Sequence, residues 1–102
     1  MLLSKYTRAQ LQEHIRKASA RSINVTITQH ASVRMRERRI TNRMLFDVLR
    51  SGVIRREPEP DIRHSGLNCQ VERFSAGVNI AVLVNVEMPS EGLIVVTVYE
   101  LT

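Results

Sequence analysis

The sequence predicts an α+β domain in which helices pack on one face of a mostly antiparallel sheet of four to five strands, in the order αβααββββ. Three observations lead there. Up to Gly52 the apolar residues recur mainly at helical spacing, interrupted by one β-branched stretch at residues 22–28; beyond Gly52 they recur at every second position. Turn residues then punctuate the second half at Ala76-Gly77 and between Met88 and Gly92. At 102 residues the chain is long enough for one core, so residues 1–102 are read as a single domain.

Residues 7–20 read as a helix with Thr7 as N-cap and Leu11 and Ile15 on one face. Ser22 to Thr28 alternates strictly and is rich in β-branched residues, which predicts a half-buried strand. Thr28 then caps a helix bearing His30, and Thr41 caps another running through Met44, Leu45, Val48 and Leu49, with Gly52 as its C′ residue. The two helices meet near Arg39-Ile40-Thr41 as an αα-hairpin. Val53-Ile54 opens a short strand, whereas Glu57-Pro58-Glu59-Pro60-Asp61 reads as a stiff acidic loop that cannot continue a ladder. Cys69 to Phe74 and Val78 to Val86 form a hairpin, with Val78, Ile80, Val82, Val84 and Val86 on one side. Leu93 to Tyr99 is apolar on both faces and belongs at the centre of the sheet or under helices.

Composition narrows the function classes. The 43% hydrophobic and 25% charged fractions are those of an ordinary soluble chain, and no apolar run approaches the ~20 residues of a membrane span. The N-terminus lacks a signal-peptide core, so a cytoplasmic location without membrane contact is expected. A single cysteine, Cys69, excludes an internal disulfide framework and any C-x-x-C pair; its strand setting predicts a buried structural thiol. Charge is uneven: residues 1–29 hold five basic and one acidic residue, residues 30–56 eight and two, and residues 57–102 two and seven. Thirteen of the fifteen basic residues are arginines, a choice suited to bidentate contact with phosphate or carboxylate. Nucleic acid or an acidic protein is the expected partner, unless the two halves neutralise each other internally.

The segment from His30 to Ile40 concentrates this charge. At about 100° per residue, His30, Arg34, Glu37 and Arg38 share an arc flanked by Val33 and Ile40 on one side and Ala31 and Met35 on the other. Were both apolar flanks to face the body, the charged stripe would face it too and line a cleft, leaving Arg36 and Arg39 in solvent.

The run from Thr28 to Gly52, with its core His-Ala-x-x-Arg-Met-x-Glu-Arg-x-Ile, resembles the domain of unknown function 4258 family. The closing Val96-Thr97-Val98-Tyr99 is similar to that family's last strand, so the resemblance covers residues 26–100 and leaves residues 1–25 as an N-terminal helix and the start of the first strand. That resemblance implies a place beside the RelE/ParE-like small toxins, including BrnT-type ribonucleases, which share a helix-plus-antiparallel-sheet fold and work beside an inhibitory antitoxin. Catalytic residues differ among those proteins, so the resemblance assigns none here.

Metal-independent RNA cleavage needs a base for the 2′-hydroxyl proton and cations for the phosphorane charge. His30 between two arginines favours its neutral, proton-accepting form; Glu37 among them is the weaker base and the better orienting partner. Arg34 and Arg38 would bind RNA. Arg73, which breaks the alternation of Cys69 and Val71, and Tyr99 on the last strand would complete the site from across the helix, and His64 in its loop is a further candidate acid. The alternatives are a structural Glu37 salt bridge with a hydrogen-bonded His30, an ion pair at Arg73, a core aromatic at Tyr99 and a solvated loop histidine at His64. Nothing calls for a cofactor: the three histidines lack metal-ligand spacing, and four glycines form no phosphate loop. Ribonuclease activity of the toxin type leads. A noncatalytic module that docks an acidic antitoxin-like chain, and a DNA-binding accessory, remain open beside it, as does homo-oligomerisation.

Overall fold

Residues 6–63 and 65–101 are described by a computed structural model. Helix α1 (Arg8–Ser19) starts at Thr7, whose hydroxyl accepts the N–H of Gln10 while the Gln10 side chain accepts the N–H of Thr7. A 3₁₀ turn (Ser22–Asn24) follows, then β1 (Val25–Ile27), α2 (Gln29–Arg38) and α3 (Asn42–Ser51). The sheet continues with β2 (Val53–Ile54), β3 (Glu59–Pro60), β4 (Leu67–Ser75), β5 (Val78–Val86) and β6 (Leu93–Leu101).

The α+β class and the one-sided helix layer are as the sequence predicts, but the sheet has six strands rather than four or five. Their order is β1-β6-β5-β4-β2, with β3 pairing β4 off that path; β1 runs parallel to β6 and the other pairs are antiparallel. The expected strand over residues 22–28 is shorter at its start. Asn24 donates its side-chain amide to the Ala18 carbonyl (2.9 Å), which folds residues 22–24 into a turn against the end of α1 and leaves Ile23 82% exposed. The acidic loop also contains a rung that period alone did not suggest, since Glu59 and Pro60 pair with Asn68 and Leu67 at an edge where a missing N–H costs little.

Strand β5 organises the core. Ile80, Val82, Val84 and Val86 have no exposed surface and face the helices, with Cys69 and Val71 of β4 and Leu93, Val95 and Val98 of β6 beside them in register. Leu11, Ile15, Leu45, Val48 and Leu49 close that layer from above, α2 lying chiefly on β6 and α3 on β4 with α1 against it. The β4–β5 hairpin turns through Ala76 (φ 51°) and Gly77 (φ 87°), two successive left-handed residues as a two-residue turn of this twist requires.

Gly52 ends α3 in extended backbone (φ −79°), not in the left-handed C′ conformation expected for it. Its role is close approach. A Cβ there would lie 2.5 Å from the Val48 carbonyl oxygen, 2.7 Å from a Val71 methyl and 2.9 Å from the Glu72 carbonyl oxygen. Gly52→Ala should therefore destabilise by about 2–3 kcal/mol through overpacking, whereas Gly92→Ala, whose nearest neighbour is the Ser90 hydroxyl at 3.6 Å, should stay within about 0.5 kcal/mol. Urea unfolding of the two variants checks the contrast, and equal midpoints would refute it.

Candidate functional site

Helix α2 begins where β1 leaves the sheet: the Thr28 hydroxyl donates to the Val95 carbonyl (2.9 Å) and accepts the N–H of Ala31 (3.1 Å). Ala31 and Met35 are the buried residues of the helix, at 0% and 5% exposure. His30, Arg34, Glu37 and Arg38 are exposed, so the stripe expected to face the sheet faces solvent instead. Arg36 and Arg39 are exposed as expected, but Val33 is outside as well, at 38%. The reason is local. Arg39 takes a left-handed conformation (φ 59°) that stops the helix, and Ile40 turns back inward with its N–H on the Met35 carbonyl (2.8 Å). Ile40 is buried off the helical period, so α2 needs only one apolar flank, Ala31 and Met35, against β6.

Exposure leaves a cationic surface around the α2–α3 joint. Glu37 is the one acidic residue between His30 and Arg43, and it is held by Arg34 at 3.5 Å. Arg36, Arg38, Arg39 and Arg43 are exposed and have no carboxylate within ion-pair distance among the described residues. Two open grooves flank the start of α3, one of about 300 Å³ with Ser32, Met35, Arg36 and Asn42 in its wall and one of about 440 Å³ with Asn42, Arg43 and Phe46. The first turn of α3 carries no acid, so its N-terminal dipole adds to the positive field between Arg36 and Arg43. Arg50, further along, is committed to structure: it stacks over Phe46 at 4.7 Å and donates to the Ser19 carbonyl at the end of α1 (2.8 Å).

Arg73 and Tyr99 do not join His30 and Glu37. Arg73 donates from Nε to Asp47 of α3 (3.1 Å), and Ser75 donates its hydroxyl to the same carboxylate oxygen (2.7 Å). These two polar side chains on the helix-facing side of β4 fasten α3 to the sheet. Tyr99 lies on the opposite, helix-free face, since its partner in β5 is Ala81 and not one of the core valines. Its hydroxyl donates to the Gln70 side-chain oxygen; Gln70 in turn donates to Glu72 (2.9 Å), which pairs with Arg55 (3.6 Å). Asn85 donates to Asn68 on that same face (3.1 Å). Alternation of Asn68, Gln70 and Glu72 with Cys69 and Val71 is the sequence signal for this polar face, which the expected site on α2 does not include. His64 lies outside the described residues. Burial pushes the Cys69 thiol up to about 12, so it stays protonated and inert in the core.

The helix joint, the α3–β4 clamp and the polar sheet face all fall inside one family's span: the model of a domain of unknown function (DUF4258) matches residues 27–100. The chain belongs to this family. The DUF4258 span runs from the end of β1 into β6 and leaves α1 outside it. No curated protein matches the chain, and no solved structure does. No helix among the described residues is long and apolar enough to cross a membrane.

The Asp47 carboxyl is held below its ordinary value of 3.8 by the Ser75 hydrogen bond, against an opposing desolvation and with help from Arg73. A carboxyl that is more acidic when folded stabilises the protein above its unfolded pKa and loses that contribution as the pH falls through the folded one. Asp47→Asn should therefore flatten stability against pH below about pH 4, with a difference above it of no more than about 1 kcal/mol for so exposed a pair. Urea midpoints followed from neutral to acid pH read this out, and parallel curves for the two proteins would exclude Asp47.

Proposed function

We propose that this DUF4258 protein binds RNA through the exposed arginines of the α2–α3 joint, in the manner of a small RelE/ParE- or BrnT-like toxin. The observation that carries this reading is the set Arg36, Arg38, Arg39 and Arg43, four guanidinium groups without a carboxylate in ion-pair distance among the described residues, beside an acid-free helix N-terminus. Such a set costs stability through self-repulsion unless a polyanion neutralises it, and bidentate forks suit phosphate oxygens.

Ribonuclease chemistry would rest on the exposed face of α2 alone, with His30 as base, Glu37 as its orienting neighbour and Arg34 and Arg38 as cations. Arg73 and Tyr99 support no part of it, one being clamped to Asp47 and the other lying across the sheet. That dispersal favours a second reading, in which the same arginines dock an acidic antitoxin-like chain without catalysis; this needs only the charges.

Fluorescence anisotropy with a mixed-sequence RNA, repeated from about 50 to about 200 mM salt, should give affinity falling steeply with salt, and Arg36→Ala and Arg43→Ala should each lower the log–log slope by about 0.7. A salt-independent curve would overturn the proposal, and equal affinity for duplex DNA would move it to the DNA-binding accessory. Cleavage of the same RNA, with and without ribosomes, should be abolished by His30→Ala at unchanged binding and thermal stability. Binding without cleavage by the unmodified protein selects the noncatalytic reading.

A further inference from the structure

The helix-free face of the sheet holds a cavity that the arginine surface does not use. Between β2 and β3 the chain bulges away from β4, and the space beneath it is lined by Arg56, Glu57 and Glu59 from the bulge and by Asn68, Gln70 and Leu83 from the sheet. Its volume is about 130 Å³, a few water molecules at about 30 Å³ each, which admits one flat heterocycle and not a whole nucleotide. The polar groups are fixed in advance. The Asn68 carbonyl oxygen is held by Asn85, while Gln70 is held at its oxygen by Tyr99 and at its nitrogen by Glu72. Both amide N–H groups of Asn68 and the second one of Gln70 take no part in these bonds and remain as donors on two residues that line the cavity. Glu57 and Glu59 add carboxylate acceptors to the lining, Leu83 an apolar side chain and Arg56 a planar guanidinium.

Amide donors and carboxylate acceptors gathered beside an apolar side chain match the mixed acceptors and donors on the edge of a nucleobase, and a guanidinium can cover its face by stacking. We propose that this cavity is a site for a single nucleobase, read by Asn68 and Gln70 beside Leu83 and closed by Arg56. The carboxylates of Glu57 and Glu59 favour bases with an exocyclic amino group over uracil. The base belongs either to a free nucleotide or to a splayed-out residue of bound RNA; only the second source rests on the RNA-binding reading.

Titration of nitrogen-labelled protein with adenosine, guanosine, cytidine and uridine monophosphates, with ribose phosphate, and with a short unstructured RNA tests this by backbone amide shifts. The three amino-bearing nucleotides should move Asn68, Gln70, Leu83 and the 56–59 segment, uridine monophosphate should do so more weakly, and ribose phosphate should not. Gln70→Ala should weaken binding about tenfold, the loss of one reading hydrogen bond with its partner left unmet. Arg56→Ala, at an exposed position that cannot compromise the fold, should weaken it several-fold. Movement of the same amides by the RNA identifies a splayed base as the ligand, and movement by mononucleotides alone identifies a free nucleotide. Shifts equal to those of ribose phosphate, unchanged binding by Gln70→Ala, or no shift with any nucleotide would overturn the site. In that last case, RNA shifts confined to Arg36 and Arg43 would leave the arginine reading standing.

Discussion

Val82 and Val84, in the middle of β5 and with no exposed surface, face the helix layer, and among the described residues no helix covers the other side of the sheet. One-sided burial of that strand is the constraint from which the rest of the molecule follows. Every apolar residue of β4, β5 and β6 on the valine side can rely on helices for cover, at roughly 1.5–3 kcal/mol for each side chain removed from water. Residues on the other side have to cover themselves. Gln70 and Asn85, each 8% exposed, manage this through hydrogen bonds along the sheet, to Tyr99 and Glu72 in one case and to Asn68 in the other. A buried amide without those partners would cost about 1–3 kcal/mol, so the polar lattice is as much a condition of the fold as the valine layer.

Much of the fold was legible because period and chemistry agreed. The alternation from Val78 to Val86 has a single solution, since a slip by one residue would turn every valine outward, and Ala76-Gly77 supplies the positive φ angles that the hairpin needs. The caps at Thr7, Thr28 and Thr41 are local devices whose partners lie three residues away, so no tertiary knowledge was required. Residues 22–24 and 59–60 were not legible for the opposite reason. In the first, Asn24 answers to a carbonyl of α1; in the second, Glu59 answers to Asn68 across a sheet edge.

The site was misread at one residue. Extending the helical period through Arg39 to Ile40 made two apolar flanks where α2 has one, and the charged stripe was then drawn inward between them. A left-handed arginine cannot be inferred from spacing, because such caps are usually glycine. Yet the same Arg39 turn that removes the predicted cleft also creates the surface that replaces it. By folding Ile40 into the core directly after the last turn of α2, it brings α3 back at once, and Arg36 and Arg43 come to flank the joint.

The two halves of the charge distribution therefore answer to different forces. Two acidic residues of the second half are drawn into structural bonds, Glu72 with Arg55 and Gln70, Glu87 with Ser65. The basic residues around the helix joint form no ion pair with them among the described residues, and a sheet stands between them and Glu72, which lies on the helix-free face while Arg36, Arg38, Arg39 and Arg43 ride on the helix layer. Internal neutralisation of a cationic first half by an anionic second half thus does not reach these four residues through ion pairs among the described residues. Their repulsion falls with salt and with any bound polyanion, so a ligand that binds only the folded chain would raise its stability through the same groups that recognise it.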